Sequence, residues 1–157
     1  MPKLRPVAAV FFAVALFPAC GGSSNSPTPL PSAAPTPPPT VQTVVASGTG
    51  SVPARVLVLV PFATAAAGTL DVTVDWTFAS NDVHIYLMTG SCASVDQFNA
   101  RQCTVAVFSE SALLKPERIS IAGATAGGYT LGIGNVGPGD ESVSFQVVLT
   151  TGGLRGQ

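Results

Sequence analysis

Between residues 68 and 78 apolar and polar side chains alternate without a break. Leu70, Val72, Val74, Trp76 and Phe78 fall on one face; Asp71, Thr73, Asp75 and Thr77 fall on the other. A period of two is the repeat of an extended strand, whose successive side chains point to opposite sides. In a helix the same residues would be scattered around the whole surface, so this segment is constrained to β structure. Such a strand buries one face and wets the other, and the chain must therefore supply a second apolar layer to cover it. Residues 82–88 repeat the rule, with Val83, Ile85 and Leu87 inward and His84 and Tyr86 outward. Ala79-Ser80-Asn81 between the two runs has the composition of a hairpin turn.

Other segments extend the pattern. Residues 55–62 are apolar on both faces, which predicts a central strand covered on each side. Further strands are expected over 41–46, 103–109, 117–121, 128–133 and 142–150. The run Gly134-Asn135-Val136-Gly137-Pro138-Gly139-Asp140 separates the last two with strong turn residues. No segment shows helical periodicity, and 109–114 offers room for a single turn at most. Short strands punctuated by Gly and Pro predict an all-β domain over residues 41–157. The expected fold is an antiparallel, jelly-roll-like β-sandwich of about eight strands around one core.

The first forty residues have a different character. Lys3 and Arg5 precede an unbroken apolar stretch from Val7 to Phe17, which stops at Pro18-Ala19-Cys20. That stretch suits a signal segment and is too short to cross a hydrocarbon core of about 30 Å. A cysteine at the cleavage point, followed by Gly21-Gly22-Ser23-Ser24, resembles a bacterial lipoprotein signal, in which the cysteine becomes the acylated first residue. Phe17 and Pro18 depart from the usual leucine and small residue of that motif, while Ala19 fits it. Residues 1–19 are accordingly read as a lipoprotein signal peptide and Cys20 as the lipidation site. An ordinary secretory signal cut nearby and an uncleaved anchor are the rival readings. Residues 20–40 are almost all Gly, Ser, Thr, Ala and Pro, a composition with nothing to bury. They are read as a linker, and its prolines would let it reach roughly 60 Å when extended.

Cysteine usage agrees with export. Three cysteines leave one over after any pairing. With Cys20 acylated, Cys92 and Cys103 remain as a disulfide pair closing the polar loop 93–102, and export places them in an oxidising compartment. A paired-cysteine metal site is the competing reading, but no histidine lies near either thiol. Loss of Lys3 and Arg5 with the signal leaves five of the seven basic side chains against eight acidic ones. The mature chain has no basic patch to grip phosphate backbones, which argues against nucleic-acid binding.

Three strand motifs carry a resemblance. They are Gly68-Thr69-Leu70-Asp71-Val72-Thr73-Val74-Asp75-Trp76, Asn81-Asp82-Val83-His84-Ile85-Tyr86-Leu87 and Ala126-Gly127-Gly128-Tyr129-Thr130-Leu131-Gly132-Ile133. Together they resemble the bacterial pre-peptidase C-terminal (PPC) domain, with its "G-T-L-x-V-x-L-x-W", "D-x-D-L-Y-L" and "A-G-x-Y-x-L-x-V" strands. The likeness covers roughly residues 41–151. It implies a jelly-roll-like sandwich and an extracytoplasmic accessory or binding role, not peptidase activity. His84 stands where that family has the second aspartate of its "D-x-D" pattern.

Residues able to do chemistry are few. His84 is the sole histidine, and no Gly-x-Ser-x-Gly elbow surrounds a serine, so no catalytic residue is assigned. Asp71 and Asp75 share a face but lie about 13 Å apart along a strand, too far to share a proton or a metal. No cofactor is expected; were calcium to bind, its oxygen ligands would come from the turn residues Asn81, Asp82, Asp140 and Glu141. Satisfying local backbone groups is the plainer role for these four. Gly132-Ile133-Gly134 opens no helix and is no phosphate loop. Trp76 belongs to the inward set, leaving Tyr86 as the better exposed aromatic. The sequence thus predicts a non-enzymatic lipoprotein of the cell envelope. It would be held to a membrane through Cys20, on the outer membrane if the cell has one, because Gly21 is not the aspartate of inner-membrane retention. Its β-sandwich would bind an envelope protein or glycan. The alternative is a subunit or relic of a secreted hydrolase system whose catalytic part is another chain.

Overall fold

The computed structural model describes residues 39–111 and 114–152. The expected signal segment, Cys20 and all of the linker before Pro39 lie outside these residues. Eight strands follow one another: β1 (Val41–Val52), β2 (Leu57–Thr64), β3 (Gly68–Trp76), β4 (Val83–Thr89), β5 (Thr104–Ser109), β6 (Glu117–Ala124), β7 (Gly127–Asn135) and β8 (Glu141–Thr151). They form two four-stranded sheets, ordered β1-β8-β3-β6 and β2-β7-β4-β5, and every pairing is antiparallel. Except for the β4–β5 connection, each link crosses from one sheet to the other, which is the topology of a jelly roll.

Alternation places the core. On β3, Leu70, Val72, Val74 and Trp76 are all buried, and they face Val83, Ile85 and Leu87 of β4 and Leu131 and Ile133 of β7. Val143, Val147 and Leu149 of β8 and Ile119 of β6 complete the layer. Trp76 belongs to this interior as its inward position requires. Its indole N–H donates to the carbonyls of Phe78 (3.0 Å) and Asn81 (3.1 Å), so burial leaves no polar atom unpaired. β1 and β8 pair from Val41↔Thr151 to Val52↔Glu141, interrupted by one bulge between Val44 and Ala46.

Four expectations need correction. β2 is an edge strand, not a central one. Its inner face (Val58, Val60, Phe62) packs on the core, while a short helix, α1 (Val95–Asn99), lies against it from outside. Two-sided cover without two-sided pairing explains the apolar run, and it also explains how Pro61 is accommodated. Phe78 is exposed rather than inward, because β3 ends at Trp76. β3 and β4 sit in different sheets, so Ala79-Ser80-Asn81 forms an arch between sheets and not a hairpin. Finally, the 93–102 loop contains α1. Ser94 caps it, accepting from the Gln97 N–H at 3.2 Å, while the Gln97 side chain accepts from the Ala93 N–H at 2.9 Å. Within 109–114, Ser109 closes β5 and the Leu114 N–H reaches the Ser111 carbonyl at 3.5 Å.

The Cys92–Cys103 disulfide is present, with Cα atoms 5.4 Å apart. Among the described residues no helix is long and apolar enough to cross a membrane.

Candidate functional site

The outer face of the β2-β7-β4 sheet is not flat. Gly132 and Gly134 on β7 lie between Leu57 and Leu59 of β2 and between His84 and Tyr86 of β4. Met88, Leu57 and Tyr86 close over Gly132, whereas the missing side chain at Gly134 leaves a hollow. The disulfide-closed loop folds back along it, and Phe98 of α1 meets Tyr86 edge-on with ring centroids 5.0 Å apart. The result is an open cleft of about 370 Å³. Its floor is Gly134 and Leu57, its walls are Tyr86, His84 and Phe98, and its rim carries Arg55, Asn99 and Val136. That volume lies at the lower end of the range of roughly 300–1,000 Å³ typical of ligand pockets.

A buried hydrogen-bond cluster holds the rim in place. Three loops meet there: 53–56, 77–82 and 136–140. The Asn135 amide donates to the carbonyls of Val52 (3.0 Å) and Gly139 (2.7 Å) and accepts from the Gly137 N–H (3.0 Å). The Asn81 amide donates to Glu141 Oε1 (2.7 Å) and to the Gly139 carbonyl (3.2 Å). The Glu141 carboxylate also accepts from the backbone N–H groups of Thr77 (2.8 Å) and Phe78 (3.1 Å). Asp140 accepts from the Ala54 N–H at 2.9 Å, and Val136 N–H donates to the Asp82 carbonyl at 3.0 Å. Gly137 is required by close approach, since a Cβ there would lie 2.5 Å from Asn81 Oδ1.

The four turn residues named as oxygen donors for calcium therefore do converge in part, but on N–H groups. Asn81 and Glu141 bond to each other, Asp140 bonds to Ala54, and Asp82 Oδ2 lies 3.0 Å from His84 Nε2. A cation at Glu141 would have to displace three N–H donors. Among the described residues no three His, Cys, Asp or Glu side chains gather as a metal-binding group. Asp71 and Asp75 do not meet either. Asp75 pairs with Lys115 at 2.9 Å, and that hydrogen bond holds its carboxyl below the usual range.

A polar row crosses the cleft wall. Beyond the Asp82–His84 contact, His84 Nδ1 is 3.5 Å from the Tyr86 hydroxyl, which donates to Glu110 Oε1 at 2.7 Å. Burial, reinforced by Glu110, pushes the Tyr86 phenol up, so it stays a protonated donor. Among the described residues no serine, threonine or cysteine side chain is hydrogen-bonded to His84. Behind it, Glu117 is fully buried; its Oε1 accepts from the Ser109 hydroxyl and from the Ser111 N–H (3.0 Å), and its Oε2 has no partner.

Sequence reasoning placed His84 and Tyr86 on the outer face, where they are, but did not assemble a site from them. It missed Arg55, Leu57, Phe98, Asn99 and Gly134. Two signals were available: the alternate glycines at 132 and 134, and the Ser94…Gln97 capping pair that announces a helical turn inside the disulfide loop.

No protein-family model matches the chain, and no curated protein matches it. Solved structures do. A carbohydrate esterase of family two from Cellvibrio japonicus aligns at TM-score 0.29 and 14% identity, covering 76% of this chain and 36% of its own. PliG of Aeromonas hydrophila, a periplasmic inhibitor of g-type lysozyme, aligns at TM-score 0.46 and 14% identity, over 69% of this chain and 87% of its own. The Yersinia pseudotuberculosis-derived mitogen aligns at TM-score 0.52 and 10% identity, again over 69% and 87%. With the mitogen the chain shares an all-β sandwich fold.

Proposed function

We propose that this protein is a non-enzymatic binding module of the cell envelope, lipid-anchored at Cys20, that holds a protein or glycan ligand in the cleft over Gly134. The observation that carries this reading is the construction of the cleft. A hollow over Gly134 is walled by a disulfide-closed loop and braced by the hydrogen-bond cluster around Asn81, Asn135 and Glu141, so it is preformed. Its exposed polar groups, Arg55 and Asn99, have no protein partner among the described residues, whereas the inner polar groups are largely engaged with one another, Asp82 Oδ1 and Glu117 Oε2 excepted. That division suits recognition. Covalent catalysis would need a serine, threonine or cysteine beside His84, and among the described residues the ring contacts only Asp82 and Tyr86.

The signal segment, the Cys20-Gly21-Gly22 start and the disulfide support an extracytoplasmic address, and Gly21 favours the outer membrane where there is one. The PPC-like strand motifs support an accessory role.

The test is occupancy of the cleft. An added Cβ at Gly134 would lie 3.5 Å from Leu57 Cδ1 and 3.8 Å from the His84 carbonyl, ordinary contact distances. Gly134→Val adds this Cβ and two further methyl groups to the floor, and its melting temperature is compared with wild type to show that the strand is kept. Wild type should retain glycan or protein fragments of the envelope that Gly134→Val releases. Equal retention by both, or turnover of the retained material, would defeat the reading.

A further inference from the structure

Beside the cleft lies a second hollow, also of about 370 Å³, lined by Phe98, Asn99, Arg101, Cys103 and Val105. The two hollows share Phe98 and Asn99, which form a ridge between them. Each hollow has one arginine: Arg55 on one side and Arg101 on the other. These two are also the only non-glycine residues, among those described, with left-handed backbone, at φ 61° and 57°. Branched or long side chains adopt that conformation at a cost in strain, and such outliers gather at functional sites. Neither arginine forms an ion pair within the described residues, whereas Lys115 is paired with Asp75. The carboxylates nearby are engaged elsewhere, Asp82 with His84, Glu110 with Tyr86 and Asp140 with the Ala54 N–H, so the two guanidinium groups flank the aromatic ridge without an ion-pair partner among the described residues.

We infer that the cleft and its neighbour together take an acidic saccharide, a chain of sugar rings bearing carboxylates. This rests on the reading of the cleft as the ligand site. A guanidinium fork matches a carboxylate with two parallel hydrogen bonds, so Arg55 and Arg101 each receive one acidic group. The exposed Asn99 amide between them can both donate to and accept from hydroxyls. Phe98, Leu57 and Tyr86, which line the cleft above the buried Gly134, offer the apolar surface on which the C–H face of a sugar ring lies. An acidic peptide would satisfy the arginines, but it would not bring a row of hydroxyls to the Asn99 amide on the ridge.

Isothermal titration of the full-length chain tests this with three probes: a uronic acid tetramer, the corresponding neutral hexose tetramer and an acidic tetrapeptide. The uronic acid tetramer should bind at least about tenfold more tightly than the other two, and added salt should weaken it. Arg55→Gly and Arg101→Gly should each weaken it by roughly tenfold while leaving the melting temperature unchanged or raised, since glycine relieves the left-handed strain. Neutral and acidic tetramers binding alike would overturn the inference. If Gly134→Val still abolished both, the cleft reading would survive that result. Preference for the peptide, or no binding of any probe, would equally overturn it. In the last case, retention of envelope fragments by wild type against Gly134→Val decides the cleft reading separately.

Discussion

Glu141 is the residue on which the cleft end of the sandwich should depend most. It occupies an inward position on β8, where alternation would ordinarily place an apolar side chain, and it is 1% exposed. Its carboxylate is surrounded by donors alone: the N–H groups of Thr77 and Phe78 and the Asn81 amide. Glu141→Ala leaves these three donors without acceptors in a site that water does not reach. A buried unsatisfied donor costs about 1–3 kcal/mol, so the expected loss is roughly 3–6 kcal/mol. A domain of this size is stable by only about 5–15 kcal/mol, and each kcal/mol shifts Tm by approximately 4–8 °C. Glu141→Gln should be milder, at about 1–2 kcal/mol. Its amide oxygen can serve the two backbone donors, but its NH2 then faces the Asn81 NH2, and Asn81 cannot turn without losing the Gly139 carbonyl. Urea denaturation of wild type, Gln and Ala variants checks the order, and an Asn81→Ala cycle should show coupling of at least about 0.5 kcal/mol. If Glu141→Ala cost less than about 1 kcal/mol, or if Gln were worse than Ala, the cluster would not be the brace described.

The remaining predictions concern a titration, a cross-link and an anchor. Burial pushes the Glu117 carboxyl above its ordinary value of 4.5, with the Ser109 and Ser111 bonds opposing. The folded state thus holds this proton to higher pH than the unfolded chain does. Its stabilising contribution is full below the ordinary carboxylate range and is lost as pH rises through the folded value. Glu117→Gln should therefore gain on wild type in melting temperature between pH 4 and pH 7 (about the span over which a raised carboxylate titrates); a constant gap would refute the assignment. Replacing Cys92 and Cys103 together by alanine should cost on the order of 3 kcal/mol by loop-closure entropy. Because that loop carries Phe98 and Asn99, ligand affinity should fall with it, and binding unchanged in the double variant would detach the cleft from the disulfide. Fatty-acid labelling of cells should disappear in Cys20→Ala; persistence of the label would remove the anchor.

The strands were legible because burial on one face writes a period of two directly into the residues. Leu70, Val72, Val74 and Trp76 on β3, and Val83, Ile85 and Leu87 on β4, all point inward as their spacing required. Position within a sheet was not legible. Residues 55–62 looked central because both faces were apolar, but the outer cover is α1, which belongs to the connection between β4 and β5. Nothing local to β2 distinguishes a neighbouring strand from a helix laid across it. Phe78 continued the alternation past the point where the strand stops, because Glu141 takes its N–H and the chain turns. The cleft was hidden for a similar reason. Arg55, His84, Phe98 and Gly134 come from four separate segments, and only the crossing topology and the disulfide loop bring them to one face. The turn residues 81, 82, 140 and 141 were singled out by their oxygen chemistry. The actual partners of 81, 140 and 141, which are the Gly139 carbonyl, each other's side chains and backbone N–H groups of other loops, depend on tertiary contact that spacing does not encode.

The full-length pairing of β1 with β8 fixes where the ends of the folded unit emerge. Val41 lies opposite Thr151, and Val52 lies opposite Glu141, beside the loops that frame the cleft. Twelve residues of strand, nearly 40 Å at the usual rise, separate the point where upstream chain enters from the mouth of the hollow. Whatever attaches upstream therefore joins at the far pole, and the carboxyl end departs from that same pole. A fusion or surface immobilisation joined at Val41 or Thr151 would lie at the end opposite the proposed binding cleft, the orientation a display scaffold or a biosensor needs.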